Sequence, residues 1–262
     1  MDALTIISPD EFKIFLLILI RVSVVLFLFP IFGTPMMPNI AKAGLALIVA
    51  ILLFPIVGIY TDPFPDNIVA IGILLFCEVM IGLTLGLSIR IFLGAVQMAG
   101  QVIGFQMGFS MINVVDPQSG SNVSIMEQIG YWIVLLLFLL MNGHHIFFIC
   151  LVESFKIVHV GIFMLNEGLL NRVIFLSVDM FVLGIKIGAP AIAALLFTSV
   201  AFGITAKFAP TMNVMIVAFP VKIVVGLFIF AFSLKIVLLI TRAYVGEYYN
   251  VLSSLLVWMA GG

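Results

Sequence analysis

The sequence contains little charge for its length. Of its 262 residues, 9% are Asp, Glu, Lys or Arg and 64% are hydrophobic, whereas about a quarter of the residues of a soluble domain are charged. This composition excludes a soluble fold and predicts a polytopic membrane protein. The net charge is -1 and the 11 basic residues are scattered singly, so the sequence offers no basic patch for a nucleic acid.

Cysteine and histidine are scarce as well. Cys77 and Cys150 each lie in an apolar run, which predicts small buried side chains rather than a disulfide or a metal pair. His144 and His145 are adjacent, so on a helix they point about 100° apart and do not form the i, i+4 pair that binds zinc. No serine or cysteine lies in a nucleophile motif. We therefore expect no enzyme activity, no cofactor and no metal.

Long apolar runs dominate what is present. A helix that crosses a bilayer needs about 20 apolar residues, because lipid offers no partner to an unpaired backbone amide. Six runs meet this requirement, and a seventh helix follows the third: 12–32, 43–61, 68–89, 91–112, 129–152, 173–202 and 211–241. Prolines and glycines separate the first runs, and short connections favour hairpins. The predicted fold class is all-α, a polytopic membrane protein of helical hairpins.

The last two runs are long and each contains a proline, Pro190 and Pro220. Proline removes a backbone hydrogen bond and clashes with the carbonyl four residues earlier, so a kink is predicted at both. Two interpretations stay open at this point. The helix either tilts and bends, or it breaks and lines a cavity.

Ionisable residues lie inside these apolar runs: Arg21, Glu78, Asp179, Lys186, Lys222 and Lys235. Each costs about 2.5 to 3.5 kcal/mol at the centre of a bilayer, so none is expected to face lipid. Arg21 and Lys235 are expected to reach water by snorkelling. That leaves two carboxylates for two lysines, paired across helices or across subunits. They are either structural bridges within one bundle or docking charges for another membrane subunit.

The segment 100–122, GQVIGFQMGFSMINVVDPQSGSN, contains no leucine. Gly100, Gly104 and Gly108 recur every four residues, a stripe that lets another helix backbone approach closely. Gln97 and Gln101 form a neighbouring stripe that can hydrogen-bond across this contact. The residues after the glycines have the chemistry of turns and loops, and irregular backbone at membrane depth is tolerated only in protein or beside a water-filled cavity.

Four motifs in order carry a family resemblance. They are GQVIGFQMGFSM followed by DPQSG, MNGHH at 141–145, SF at 154–155, and APTMNVMIVAFPVKIVVGL at 209–227. Together they resemble the FliR/SctT family, the flagellar type III export-gate subunit FliR and its relatives in virulence secretion systems. The resemblance covers nearly the whole chain. Lys207 stands where the family often carries arginine.

The resemblance implies a structural role rather than an enzyme. Such a subunit joins FliP and FliQ, with FlhB as a further partner, in a funnel-shaped gate in the flagellar basal body of the bacterial inner membrane. Unfolded flagellar proteins pass through that gate. About 1–200 would be the FliP-like part of a single 1–262 subunit, and about 201–262 a FliQ-like hairpin.

The resemblance also implies a plug for the closed channel. In this sequence the plug loop consists of Phe109, Ser110, Met111, Asn113, Asp116, Pro117, Gln118, Ser119, Gly120, Ser121 and Asn122. The glycine stripe would then act as a hinge packed against neighbouring subunits. The alternative function is a stand-alone transporter of small solutes or ions, since kinked helices and charges at the midplane form such sites. Against it stand the missing inverted repeat and the low number of polar groups.

Overall fold

A computed structural model describes residues 9–34, 37–57, 67–109, 124–209, 211 and 213–261. This part of the chain forms helices and no strands: α1 (Pro9–Leu28), α2 (Asn39–Val57), α3 (Ile68–Met107), α4 (Ile125–Leu140), α5 (Gly143–Ile157), α6 (Glu167–Phe208) and α7 (Val214–Met259). Four of them, α2, α3, α6 and α7, are long and apolar enough to cross a membrane, and α4 with α5 makes a fifth if that broken pair is one span. The prediction of an all-α polytopic membrane protein is confirmed.

The prediction of separate helices over 68–89 and 91–112 is wrong, because residues 68–107 form the single 40-residue helix α3. Arg90 lies between the two predicted ranges, but arginine has good helix propensity and does not end a helix. Its guanidinium serves the end of α1 instead. Arg90 Nε donates to the carbonyl of Leu28 at 2.7 Å, a carbonyl that has no partner within its own helix.

The run 129–152 divides into two helices at Met141 and Asn142. Asn142 has a φ of 58° in the left-handed region, which asparagine tolerates better than most residues because its short polar side chain bonds locally. The Asn-Gly step of the MNGHH motif therefore ends α4 and begins α5.

The helices around the two prolines are continuous, which contradicts the interpretation that each span breaks there. Pro190 lies inside α6 and Pro220 inside α7, and both helices continue on either side of the proline. A span broken at these positions is therefore wrong, whereas the kink itself stays a prediction.

The described helices pack into two compact units. Unit 1 consists of residues 1–90, 142–176 and 247–262, and unit 2 of residues 91–141 and 177–246. Each long helix, α3, α6 and α7, contributes to both units. The expected division near residue 200 concerns which family member each part resembles, so it stays a prediction.

The C-terminal end of α7 belongs to the core of unit 1. Leu252, Leu255 and Leu256 are fully buried. Asn166 connects this end of α7 to the start of α6, because its amide nitrogen donates to the carbonyl of Trp258 at 2.8 Å and its amide oxygen accepts from the N–H of Leu169 at 2.8 Å. The second bond is that of a helix N-cap.

Candidate functional site

The glycine-rich segment of α3, residues 100–107, lies in unit 2. On one side it meets the start of α4. A Cβ built on Gly100 would lie 2.6 Å from Cα of Glu127, and one built on Gly104 would overlap the hydroxyl of Ser124. The stripe thus permits the close backbone approach that its spacing predicts. The neighbour at both glycines is the same chain, which corrects the expectation that they pack against another subunit.

The two glutamines of the neighbouring stripe have different environments. Gln97 Nε2 donates to Glu127 Oε1 at 3.4 Å, so this side chain bonds across the contact with α4. Gln101, one turn further on, is exposed. Only the first of the two therefore strengthens the contact between α3 and α4.

Two other helices approach α3 within unit 2. On α6, a Cβ built on Gly184 would lie 2.9 Å from the carbonyl oxygen of Ala95, and on α7 one built on Gly226 would lie 2.7 Å from Cγ of Met107. A buried cluster fills the space between these helices: Ile103, Met107, Met126, Ala191, Leu195 and Phe230. Three close helices explain why residues 100–109 contain glycine and methionine in place of leucine, since small residues admit a neighbouring backbone and methionine fills irregular gaps.

The segment ends in a Schellman motif. Gly108 has a φ of 92°, its N–H donates to the carbonyl of Phe105 at 3.1 Å, and the N–H of Phe109 donates to the carbonyl of Gly104 at 3.1 Å. This pair of bonds satisfies the last carbonyls of a helix and requires a residue that accepts the left-handed region. The ring of Phe219 occupies the position that a Cβ on Gly108 would take. Glycine at 108 is thus needed for both conformation and space.

The expected plug loop begins at this helix end. Phe109 is half-buried and packs against the buried cluster of unit 2. The other expected plug residues lie outside the described ranges: Ser110, Met111, Asn113, Asp116, Pro117, Gln118, Ser119, Gly120, Ser121 and Asn122. The chain re-enters the described part at Ser124, whose hydroxyl is buried against Gly104 and has no hydrogen-bond partner there. Both ends of the loop are therefore fixed at the last two turns of α3.

A second polar feature lies in unit 1, around Arg21. This side chain is fully buried, so the expectation that it snorkels to water is wrong. Its guanidinium forms a two-bond ion pair with Glu78, with Nε to Oε2 at 2.6 Å and Nη2 to Oε1 at 3.1 Å. Glu78 is fully buried as well. It is therefore a partner within unit 1 rather than a partner for a lysine or a docking charge for another subunit.

The remaining donors of Arg21 bond to the end of α5. Nη1 donates to the carbonyl of Ser154 at 2.9 Å and to its hydroxyl at 3.1 Å, and both terminal nitrogens donate to the carbonyl of Val158 at 3.3 Å. The guanidinium carbon lies 4.2 Å from the centre of the Phe155 ring, a cation–π distance. Both residues of the SF motif thus contact Arg21.

The other expected docking charges are placed differently. Asp179 and Lys186 are exposed on α6, and Lys222 is half-buried on α7. Within the described ranges none of the three forms an ion pair. Their expected role in docking stays a prediction.

Sequence reasoning missed the Arg21 network, although two signals were present. The first is the opposite charge of Arg21 and Glu78 in different apolar runs. The second is the SF motif, which served only as a mark of resemblance, whereas the structure gives each of its residues a contact. Cys77 and Cys150 are free and buried, as predicted.

Comparison with known proteins gives a consistent picture. Residues 12–248 match the family described as "Bacterial export proteins, family 1". Flagellar biosynthetic protein FliR of Bacillus subtilis (strain 168) is 32% identical over 236 residues, which cover 89% of this chain and 90% of that protein. FliR of Escherichia coli (strain K12) is 28% identical, covering 91% and 90%, and FliR of Aquifex aeolicus (strain VF5) is 27% identical, covering 94% and 95%.

These matches span nearly the full length of both partners, and they fall on a chain whose long apolar helices place it in a membrane. The resemblance carried by the four motifs is therefore confirmed. The chain belongs to family 1 of the bacterial export proteins and is a membrane component of the flagellar export apparatus.

Proposed function

We propose that this chain is a structural subunit of the flagellar type III protein export gate, located in the bacterial inner membrane within the flagellar basal body. It joins FliP and FliQ in the channel through which unfolded flagellar proteins are exported, with FlhB as a neighbour. No step of this role needs an enzyme activity or a cofactor.

One observation carries the proposal beyond the family. The loop after α3 is held by its two ends, with a Schellman motif at Gly108 on one side and Ser124 seated on Gly104 on the other. A polar loop fixed in this way at the end of a tightly packed helix is suited to occlude a channel. The residues from Phe109 to Asn122 are the proposed plug.

The plug is tested by shortening the loop while its base stays intact. Deleting Asp116 to Ser121 removes polar residues between the two fixed ends, so the closed gate should leak small solutes. The measurement is the uptake of a small membrane-impermeant dye by cells that contain the assembled gate without substrate. The control replaces the same six residues by glycine and serine, which keeps the loop length.

We expect the deletion to leak more than the length-matched control at equal amounts of assembled gate. An unchanged barrier in the deletion variant would contradict the plug. Uptake of solute by the purified chain alone in liposomes would instead favour the stand-alone transporter.

The charges on α6 and α7 support the proposed assembly. Asp179 and Lys186 are exposed on a helix that is long and apolar enough to cross a membrane, and an unpaired charge facing lipid is unfavourable by a few kcal/mol. Partner subunits that carry opposite charges would remove this cost. Lys222, half-buried on α7, is the third candidate.

Neutralising these side chains should weaken assembly without unfolding the chain. We expect Lys186→Gln to reduce the amount of FliP and FliQ that copurifies several-fold, measured by quantitative mass spectrometry after mild detergent extraction. The matched control is Lys156→Gln, an exposed lysine near the end of α5 in unit 1. Equal recovery for both variants would contradict the docking role.

A further inference from the structure

The Arg21–Glu78 network has no part in the proposed plug or in docking, because both side chains are fully buried within unit 1. What distinguishes it from a simple ion pair is where each charge makes its other bonds. The guanidinium and the carboxylate each bond to a different backbone group of the connection that follows α5, residues 158–166.

The guanidinium faces the end of a helix. α5 ends at Ile157, and the acceptors of Arg21 are the carbonyls of Ser154 and Val158, at 2.9 Å and 3.3 Å. The carbonyl of Ser154 also accepts the N–H of Val158 at 3.0 Å, whereas the carbonyl of Val158 lies past the last backbone hydrogen bond of α5. Carbonyls at the C-terminus of a helix carry partial negative charge, which favours a cation at this position. Arg21, which lies on α1, therefore completes the C-terminus of α5.

The carboxylate faces a backbone amide. Glu78 Oε1 accepts from the N–H of Gly161 at 2.7 Å. Gly161 has a φ of 82°, and the side chain of Leu74 occupies the position that its Cβ would take. The turn at Gly161 is thus held by an acceptor on α3, which a cation at position 78 could not supply.

We propose that Arg21 and Glu78 form a directional lock that positions the connection between α5 and α6. The cation must lie against the carbonyls of α5 and the anion against the amide of Gly161, so the two charges cannot be exchanged. A lock of this kind requires α1, α3 and α5 to be in place together. Arg21 and Glu78 are then positioning residues for the start of α6.

The test uses the full chain in detergent and follows backbone hydrogen exchange by mass spectrometry. The variants are Glu78→Gln, Arg21→Lys and a charge-swap variant that combines Arg21→Glu with Glu78→Arg. The local readout is the peptide covering 158–166, and the reference is a peptide from α4 in unit 2. Glu153→Gln is the matched control, because this carboxylate also lies on unit 1 but is bonded to the exposed Tyr249 at 3.0 Å.

We expect Glu78→Gln to accelerate exchange in 158–166 at least tenfold relative to the α4 peptide, and Glu153→Gln to leave it unchanged. The charge-swap variant should exchange hydrogen in 158–166 at least as fast as Glu78→Gln, because a carboxylate at position 21 would face the carbonyls of α5. Arg21→Lys keeps the charge but has a single nitrogen for all these acceptors. In the Arg21→Lys variant, residues 158–166 should exchange hydrogen at an intermediate rate. This variant tests the proposal even if the charge-swap variant does not fold.

If residues 158–166 of the charge-swap variant exchanged hydrogen at the rate of the unmodified chain, the directional lock would be overturned, since only the pairing of charges would then matter. The same holds for Arg21→Lys, because an unaffected rate would show that the bonds to α5 are dispensable. An unaffected rate in Glu78→Gln would overturn the role of the carboxylate. None of these outcomes depends on the export gate.

Discussion

Gly72 and Gly100 show at the scale of single residues that the glycines of α3 are not equivalent. A Cβ on Gly72 would meet nothing within 4 Å, whereas one on Gly100 would lie 2.6 Å from the backbone of Glu127. The sequence predicted a close approach from the spacing of Gly100, Gly104 and Gly108. It could not show that the approaching backbone belongs to the same chain, because spacing along a helix does not identify the neighbour.

This difference predicts opposite effects of one substitution. Gly72→Ala should raise the free energy of unfolding by about 0.5 to 1 kcal/mol, because alanine has the better helix propensity. Gly100→Ala should lower it by about 1 to 3 kcal/mol, because the start of α4 must move. Denaturant unfolding of the purified chain in detergent measures both. The same sign for the two variants would contradict the packing at Gly100.

Arg21 illustrates what residue-level reasoning from the sequence lacks. A buried charge and a snorkelling one look alike in an apolar run, and only the tertiary fold brings Glu78 and Ser154 within bonding distance of the same guanidinium. Burial is tolerated here because all three guanidinium nitrogens of Arg21 and both carboxylate oxygens of Glu78 have a hydrogen-bond partner, whereas removal of one partner of a buried pair typically costs about 3 to 5 kcal/mol.

At the scale of elements, most differences between the predicted and the observed helices concern where a helix ends. The two predicted helices 68–89 and 91–112 were divided at Arg90, although no proline or glycine follows it before Gly94, and the structure has one continuous helix there. The division of 129–152 could be anticipated from the Asn142–Gly143 step, a turn signal within an apolar run. Local sequence thus predicts where a helix ends when a special backbone conformation is needed there, and it misleads where only a charge is present.

The break between α4 and α5 yields a prediction of its own. Asn142→Val places a β-branched residue at a φ of 58°, and we expect the free energy of unfolding to fall by about 1 to 2 kcal/mol. Asn142→Gly is the matched control, because glycine adopts this conformation without strain. Thermal unfolding of both variants in detergent checks the pair. A valine variant as stable as the glycine variant would show that the left-handed conformation is not required.

At the scale of the whole molecule, much of the apolar surface is left for lipid or other proteins. In α2 and in α7, only 22% of the most apolar 18-residue stretch is buried. Ile40 on α2 is 88% exposed. Composition predicted the membrane, and four ordered motifs predicted the family. The arrangement of three long helices through two units could not be predicted, because it depends on contacts between residues far apart in the sequence.

We propose that this chain acts as one subunit of an export gate rather than as a self-sufficient membrane protein. The most direct test is to express it with an affinity tag in its native host, extract it in mild detergent and identify what copurifies. We predict recovery of FliP and FliQ in one complex with the tagged chain. Recovery of a well-folded monomer from which both are absent would contradict the account.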